Sequence, residues 1–262
     1  TPAFKAGIKP LDIILKIDNT SSINMTLDEA VTLMRGNPQT DITLTVVRKG
    51  EVKPLEIKMK RDIIKIQSVF AKTIENTDLL YLRVSSFDAK VTEDLEKAIL
   101  ANKNIKGYIL DLRNNPGGLL SQAIGAVNLF VDNGIIVSQK GKNPDDEEKF
   151  EASVSKTKTK LPLVVLVNEG SASASEIVSG ALQDHKRAVI IGEKTFGKGS
   201  VQAVLPIEND RSENIKLTIA KYYLPSGRTI QATGVTPDVI VSSGKVIQDE
   251  NDKFKIKEAD LK

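Results

Sequence analysis

The sequence contains no cysteine, no tryptophan and a single histidine, His185, among 262 residues. Without thiols there is no disulfide, thiolate metal site or cysteine nucleophile. A lone imidazole would leave a zinc centre to be built almost wholly from carboxylates, a poor match to zinc hydrolases. Aromatic residues make up 4% of the chain, too few for the stacking platforms that hold single-stranded nucleic acid. Charge of one sign is also scarce: Lys+Arg number 37 and Asp+Glu 34, and a net +3 over a large surface is no basic footprint. The longest apolar run, Leu163 to Val167, is strand length, far below the roughly 20 residues that cross a bilayer. Nucleic acid is therefore not an expected partner, and neither metal nor other cofactor is expected. Thr1 is no translation start, so the chain reads as a mature or truncated product whose targeting segment has been removed.

What is present supports a packed core, with 40% hydrophobic and 27% charged residues. Residues 1–62 read as a small β-rich module. Ile13 to Ile17 is a β-branched run, and Thr26 and Glu29 form a capping box for a helix over Leu27 to Met34, stopped by Gly36 and Pro38. Ile42, Leu44 and Val46 alternate as a strand that returns after the Lys49-Gly50 turn through Val52, Leu55 and Ile57. Lys60 to Lys65 reads as a linker.

Residues 63–262 change to strands alternating with helices, the pattern of an α/β layer. Strands are predicted over Leu79 to Val84, Tyr108 to Leu112, Leu163 to Val167, Ala188 to Ile191 and Ile215 to Ala220. The helices are Thr92 to Ala101, Leu119 to Phe130 and Ala174 to Asp184. The charged segment Gly141 to Lys160 reads as an exposed excursion, and the tail after Gly244 is weakly patterned.

Three stretches of small residues each follow a predicted strand, where α/β folds place their sites. Asp111-Leu-Arg-Asn-Asn-Pro-Gly-Gly118 opens a helix, so it can offer backbone N–H groups to an oxyanion or be a turn needing positive φ. Asn168-Glu-Gly-Ser-Ala-Ser-Ala-Ser-Glu176 can present a serine at a helix N-terminus. Ser171, Ser173 and Ser175 compete for that role, and any of them would also serve as a plain N-cap. Gly192-Glu-Lys-Thr-Phe-Gly-Lys-Gly199 imitates a phosphate-binding loop as far as its lysine. Gly199 then stands where magnesium needs Ser or Thr, and β-branched Val201 to Val204 replaces the required helix.

A serine enzyme needs a base. His185 lies twelve residues beyond Ser173, about 18 Å along a helix, and hydrogen-bond reach is about 3 Å. A lysine can act instead if burial lowers its pKa from about 10.4. Lys198, flanked by Gly197 and Gly199 and beside Phe196 and Val201, is the best-placed candidate, against the plain alternative of a solvated loop lysine.

These three stretches, with Tyr222-Tyr-Leu-Pro-Ser-Gly-Arg228 and Gly234-Val-Thr-Pro-Asp238, resemble the carboxy-terminal processing proteases, Ser-Lys peptidases that cut proteins near their C-termini. The resemblance implies Ser173 as nucleophile, Lys198 as general base and Gln202 as support for the lysine amine. It implies an oxyanion hole from the amides of Ala174 and of Gly117 or Gly118. It gives Glu176 and Arg113 no chemistry beyond fixing the turns by ion pairs. The implied fold is an α/β core of crotonase/Clp-peptidase type behind an N-terminal PDZ domain. Only five residues precede Ala6 and Leu11 replaces a usual glycine, so the PDZ domain is expected to be truncated, and a peptide-binding form without turnover is the alternative reading. Implied partners are proteins or peptides with accessible C-terminal tails, a second copy of the chain and a lipoprotein adaptor. The implied location is the bacterial periplasm, free or associated with the membrane.

Overall fold

The computed structural model describes residues 1–64, 67–143, 145–207 and 210–242. The chain divides into two compact units, Thr1–Ile66 and Gln67–Lys262, four residues past the expected junction.

The first unit holds α1 (Pro2–Lys5), β1 (Ile13–Ile17), β2 (Thr20–Ser21), α2 (Leu27–Met34), β3 (Asp41–Val47) and β4 (Leu55–Lys60). Its strands form an antiparallel sheet in the order β2-β1-β3-β4. The capping box is complete: the Glu29 amide donates to the Thr26 hydroxyl and the Thr26 amide to the Glu29 carboxylate. Ile17, Ile42, Leu44 and Val46 form the small core.

The second unit continues with β5 (Val69–Thr73), β6 (Leu79–Val84), α3 (Val91–Ala101), β7 (Gly107–Asp111), α4 (Leu120–Asn128), β8 (Ile135–Lys140) and β9 (Glu147–Glu151). After these come β10 (Leu163–Val167), α5 (Ala174–Asp184), β11 (Val189–Gly192), β12 (Ser200–Ile207), β13 (Asp210–Tyr223) and β14 (Val239–Ile240). The main sheet runs β14-β11-β10-β7-β6-β5, parallel apart from β5. Leu80, Leu82 and Val84 alternate with half-exposed neighbours, so one sheet face is buried with Leu95, Ile99, Val127, Ile177 and Leu182 of α3 to α5 in a single core. A second, antiparallel sheet has the order β12-β13-β8-β9. The predicted excursion over 141–160 therefore contains β9, paired with β8. The strand expected over Ile215 to Ala220 is the middle of the longer β13, and the tail after Gly244 lies outside the described residues. No helix among the described residues is long and apolar enough to cross a membrane.

Candidate active site

The carboxyl ends of β7, β10 and β11 lead into the three small-residue turns singled out above, and parallel pairing of these strands in one sheet brings the turns together. Burial separates the three competing serines. Ser171 is fully buried; its hydroxyl donates to the Leu112 carbonyl at 2.8 Å and accepts from the Asn168 amide at 3.0 Å. Ser175 is equally buried and donates to the Asn115 carbonyl at 2.9 Å. Ser173 alone is partly open to solvent, at the N-cap of α5 with φ 54°. A non-glycine residue in that region stores backbone strain, which persists only where its surroundings hold it.

Those surroundings centre on Glu176, whose side chain is fully buried. One carboxylate oxygen, Oε2, accepts from the Ser173 and Lys198 amides, each at 2.8 Å. The other, Oε1, accepts from the Gly197 amide at 2.7 Å and the Thr195 hydroxyl at 2.5 Å. Because two 2.8 Å bonds meet at one atom, the backbone nitrogens of Ser173 and Lys198 are at most twice that distance, 5.6 Å, apart. Burial pushes the Glu176 carboxyl above its ordinary range, and the four donors offset only part of that rise. Glu176 thus fixes both turns as expected, but through backbone amides and a hydroxyl and not through an ion pair.

Asn115, also fully buried, sets the glycine turn. Its Oδ1 accepts from the Gly117 amide two residues on, an Asx turn, and its Nδ2 donates to the Val84 carbonyl. Its own carbonyl accepts from the Ala172 amide, so one residue joins the glycine turn to the serine turn. Gly117 has φ 103°, and a Cβ there would lie 2.8 Å from the Ser173 Cβ and 2.9 Å from the Ala174 nitrogen. With the Gly117 amide taken by Asn115, the Gly118 and Ala174 amides are the ones with no acceptor among the described residues. Arg113 forks onto buried Asp111, with Arg83 and Tyr81 on the same carboxylate, and fastens the strand end that leads into this turn. Burial pushes Asp111 up, but the bonds from Arg113 and Tyr81 outweigh it and hold the carboxyl below its ordinary value.

Lys198 is half-buried between buried Gly197 and Gly199, and its amine is in no ion pair among the described residues. Gln202 is a different case: it is exposed on β12, opposite Thr218, and the structure shows no side-chain bond from it to Lys198. His185 caps the far end of α5 with Nε2 against the Ile135 carbonyl at 2.7 Å. The segment after Lys198 is strand β12, which removes the helix a phosphate-binding loop requires.

A serine at positive φ between a buried strand and a buried helix, with the Ala174 amide next to it and the glycine turn packed against it, is the arrangement of a serine-type hydrolase. The chain belongs to peptidase family S41, whose profile matches residues 78–241, while a PDZ domain profile matches residues 1–48. It is 49% identical over 247 residues to a carboxy-terminal-processing protease of Bartonella bacilliformis, covering 92% of this chain and 56% of that protein. It is 41% identical over 241 residues to the carboxy-terminal processing protease CtpA of Bacillus subtilis, covering 91% of this chain and 51% of the relative. Among solved structures it is similar to the photosystem II D1 C-terminal processing protease, with TM-score 0.62 and 31% identity over 92% of this chain and 66% of that one. The chain spans about half the length of the curated relatives it matches.

Proposed function

We propose that this chain is the catalytic portion of a serine endopeptidase that processes proteins near their C-termini, with Ser173 and Lys198 as a nucleophile–base dyad. The observation that carries the reading is the shared Glu176 oxygen, which ties the backbones of Ser173 and Lys198 into one site. Neutral Lys198 Nζ takes the Ser173 hydroxyl proton as Oγ attacks the scissile carbonyl. The amides of Gly118 and Ala174 stabilise the tetrahedral oxyanion; Gly118 is preferred to Gly117 because the latter's N–H is spent on Asn115. Lys198 then protonates the leaving amine, and water releases the acyl group from Ser173. The PDZ unit senses or delivers the substrate tail. A second copy, a lipoprotein adaptor and a periplasmic or membrane-associated location belong to the same proposal.

One observation favours a second reading. Exposed Gln202, expected to support the lysine amine, makes no side-chain hydrogen bond to Lys198, which suits a resting form that binds peptide without turnover. Cleavage of unfolded casein, with Ser173→Ala and Lys198→Ala alongside, separates the two. The dyad predicts cleavage by the unaltered chain and none by either variant. Undiminished cleavage by a variant rejects the dyad, and peptide binding without any cleavage supports the resting form.

A further inference from the structure

The site built from Ser173, Glu176 and Lys198 leaves two sequence motifs without a task, Tyr222 to Arg228 and Gly234 to Asp238. They lie in or beside residues 224–238, which connect β13 to β14 without a helix or strand. One part of this connection is fastened to the C-terminal end of α5. The Arg228 guanidinium pairs with the Asp184 carboxylate at 2.9 Å and donates to Gln183 Oε1 at 2.6 Å, and the Ser226 amide donates to the same carboxylate at 3.0 Å. Gln183 Nε2 donates in turn to the Thr236 carbonyl and the Asp238 carboxylate. Leu224, Ile230 and Val235 anchor the connection in the main core. The other part runs along the lysine loop. The Thr195 amide donates to the Val235 carbonyl, the Ala232 amide to the Gly197 carbonyl and, at 2.9 Å, the Gly199 amide to Oε1 of the Gln231 side chain. A Cβ at Gly199 would lie 2.5 Å from the Gln231 nitrogen, so only a glycine lets the two segments approach this closely.

Glycines on both sides give the backbone at Lys198 many accessible conformations, and the direction of its Cα–Cβ bond is set by the two peptide planes that flank it. The plane before Lys198 carries the Lys198 N–H, and the plane after it carries the Gly199 N–H. Glu176 Oε2 holds the first and Gln231 Oε1 the second. Gly199 is buried, so an N–H released from Gln231 could regain an acceptor only if the loop shifted. We infer that Gln231 is a positioning residue for the general base: it fixes the peptide after Lys198, as Glu176 fixes the one before, and so aims the lysine side chain at Ser173. The inference rests on the Ser173–Lys198 reading and deepens it. Gln231 acts on the lysine backbone, whereas the support expected of Gln202 was at the amine. The same connection refers both members of the dyad to one helix, since α5 starts from Ser173 and ends at Gln183 and Asp184, where the Gln231 segment is fastened.

The test reads the rate at which a fluorophosphonate labels Ser173 in the full chain, together with kcat and KM for casein. Gln231→Met keeps the length of the side chain and removes the acceptor. It is expected to slow labelling and lower kcat by about 10- to 100-fold, with KM within about twofold of the unaltered chain, because a misaimed base is felt in the transition state and not in binding. Added to Lys198→Ala, the same change is expected to slow the residual labelling no further, since Gln231 acts through the lysine. Thr233→Ala, which removes a bond to the Thr229 carbonyl in the same connection, is expected to leave both rates unchanged. Rates are compared between chains whose circular dichroism spectra match that of the unaltered chain. Gln231→Ser, too short to reach the Gly199 amide, takes the place of Gln231→Met if the latter does not fold. An undiminished rate in Gln231→Met beside a lost one in Lys198→Ala overturns the inference and leaves the dyad standing. Slowing by the same factor with and without Lys198 also overturns it, by giving Gln231 a structural role alone. An undiminished rate in Lys198→Ala rejects the dyad, and the inference with it.

Discussion

Replacing Glu176 by Gln keeps the size and shape of the side chain and removes only its charge and one acceptor atom. In the structure each carboxylate oxygen serves two donors: Ser173 and Lys198 amides on Oε2, Gly197 amide and Thr195 hydroxyl on Oε1. Whichever way the new amide turns, its NH2 meets two donors. The Thr195 hydroxyl already accepts from the Val235 amide at 2.7 Å, so accepting from the new NH2 as well would fill its second lone pair and leave its own O–H without the Glu176 acceptor. Each buried donor left without an acceptor costs about 1–3 kcal/mol, so the variant should lose about 2–6 kcal/mol, a large part of a typical domain stability of about 5–15 kcal/mol. The same change frees the strained Ser173 turn from the Lys198 loop, and a displacement of about 1 Å is enough to cost on the order of 10²-fold in rate. Urea unfolding followed by far-ultraviolet circular dichroism, with casein cleavage measured on the folded variant, reads both quantities. Stability within about 0.5 kcal/mol of the parent together with normal turnover would refute the role given to Glu176.

Gly117→Ala puts a methyl group 2.8 Å from the Ser173 Cβ at a φ of 103°, and cleavage should fall by on the order of 10²-fold, as measured with casein. Ser175→Ala removes a buried hydroxyl bonded to the Asn115 carbonyl but no reacting atom; thermal unfolding should report a loss of about 1 kcal/mol while turnover persists. In the first unit, Arg48 forks onto Asp12 and the Lys9 amide adds a third bond, holding the carboxyl down to about 2. A carboxyl depressed in the fold stabilises above its unfolded pKa of about 3.9, and loses that contribution as pH falls toward its folded value. Unfolding of the 1–66 unit should thus grow easier between about pH 4 and pH 2, and Asp12→Asn should flatten that dependence.

Where local physics decides, the sequence was readable. The β10 and α5 boundaries and the Thr26 capping box agree with the pattern because a buried apolar run, a helical period and a short-range cap are all local signals. The hairpin of β12 and β13 was read only in part, since periodicity marks strands by burying one face, and this hairpin buries neither in its outer half. The three serines are spaced two apart and chemically identical; only burial and the positive φ of Ser173 set them apart, and both are properties of the folded turn. Glu176 was visible as the last residue of a motif, but its bonds reach across 21 and 22 residues to Gly197 and Lys198. Asn115, two residues before Gly117, carries a legible Asx-turn signal, while its links to Val84 and Ala172 across the fold leave no trace in local sequence. Lys198 is legible as a candidate base from its flanking glycines and the distance of His185, whereas Gln202 rests on family resemblance alone; the structure brings the Lys198 and Ser173 backbones together through Glu176 and leaves Gln202 exposed on β12.

The most direct test of the dyad is to label the folded chain with a fluorophosphonate, which reacts with activated serines, and to locate the adduct by tandem mass spectrometry. A single adduct on Ser173, lost in Lys198→Ala, is the predicted result. An adduct on Ser171 or Ser175, none in the unaltered chain, or one on Ser173 undiminished without Lys198 would contradict it.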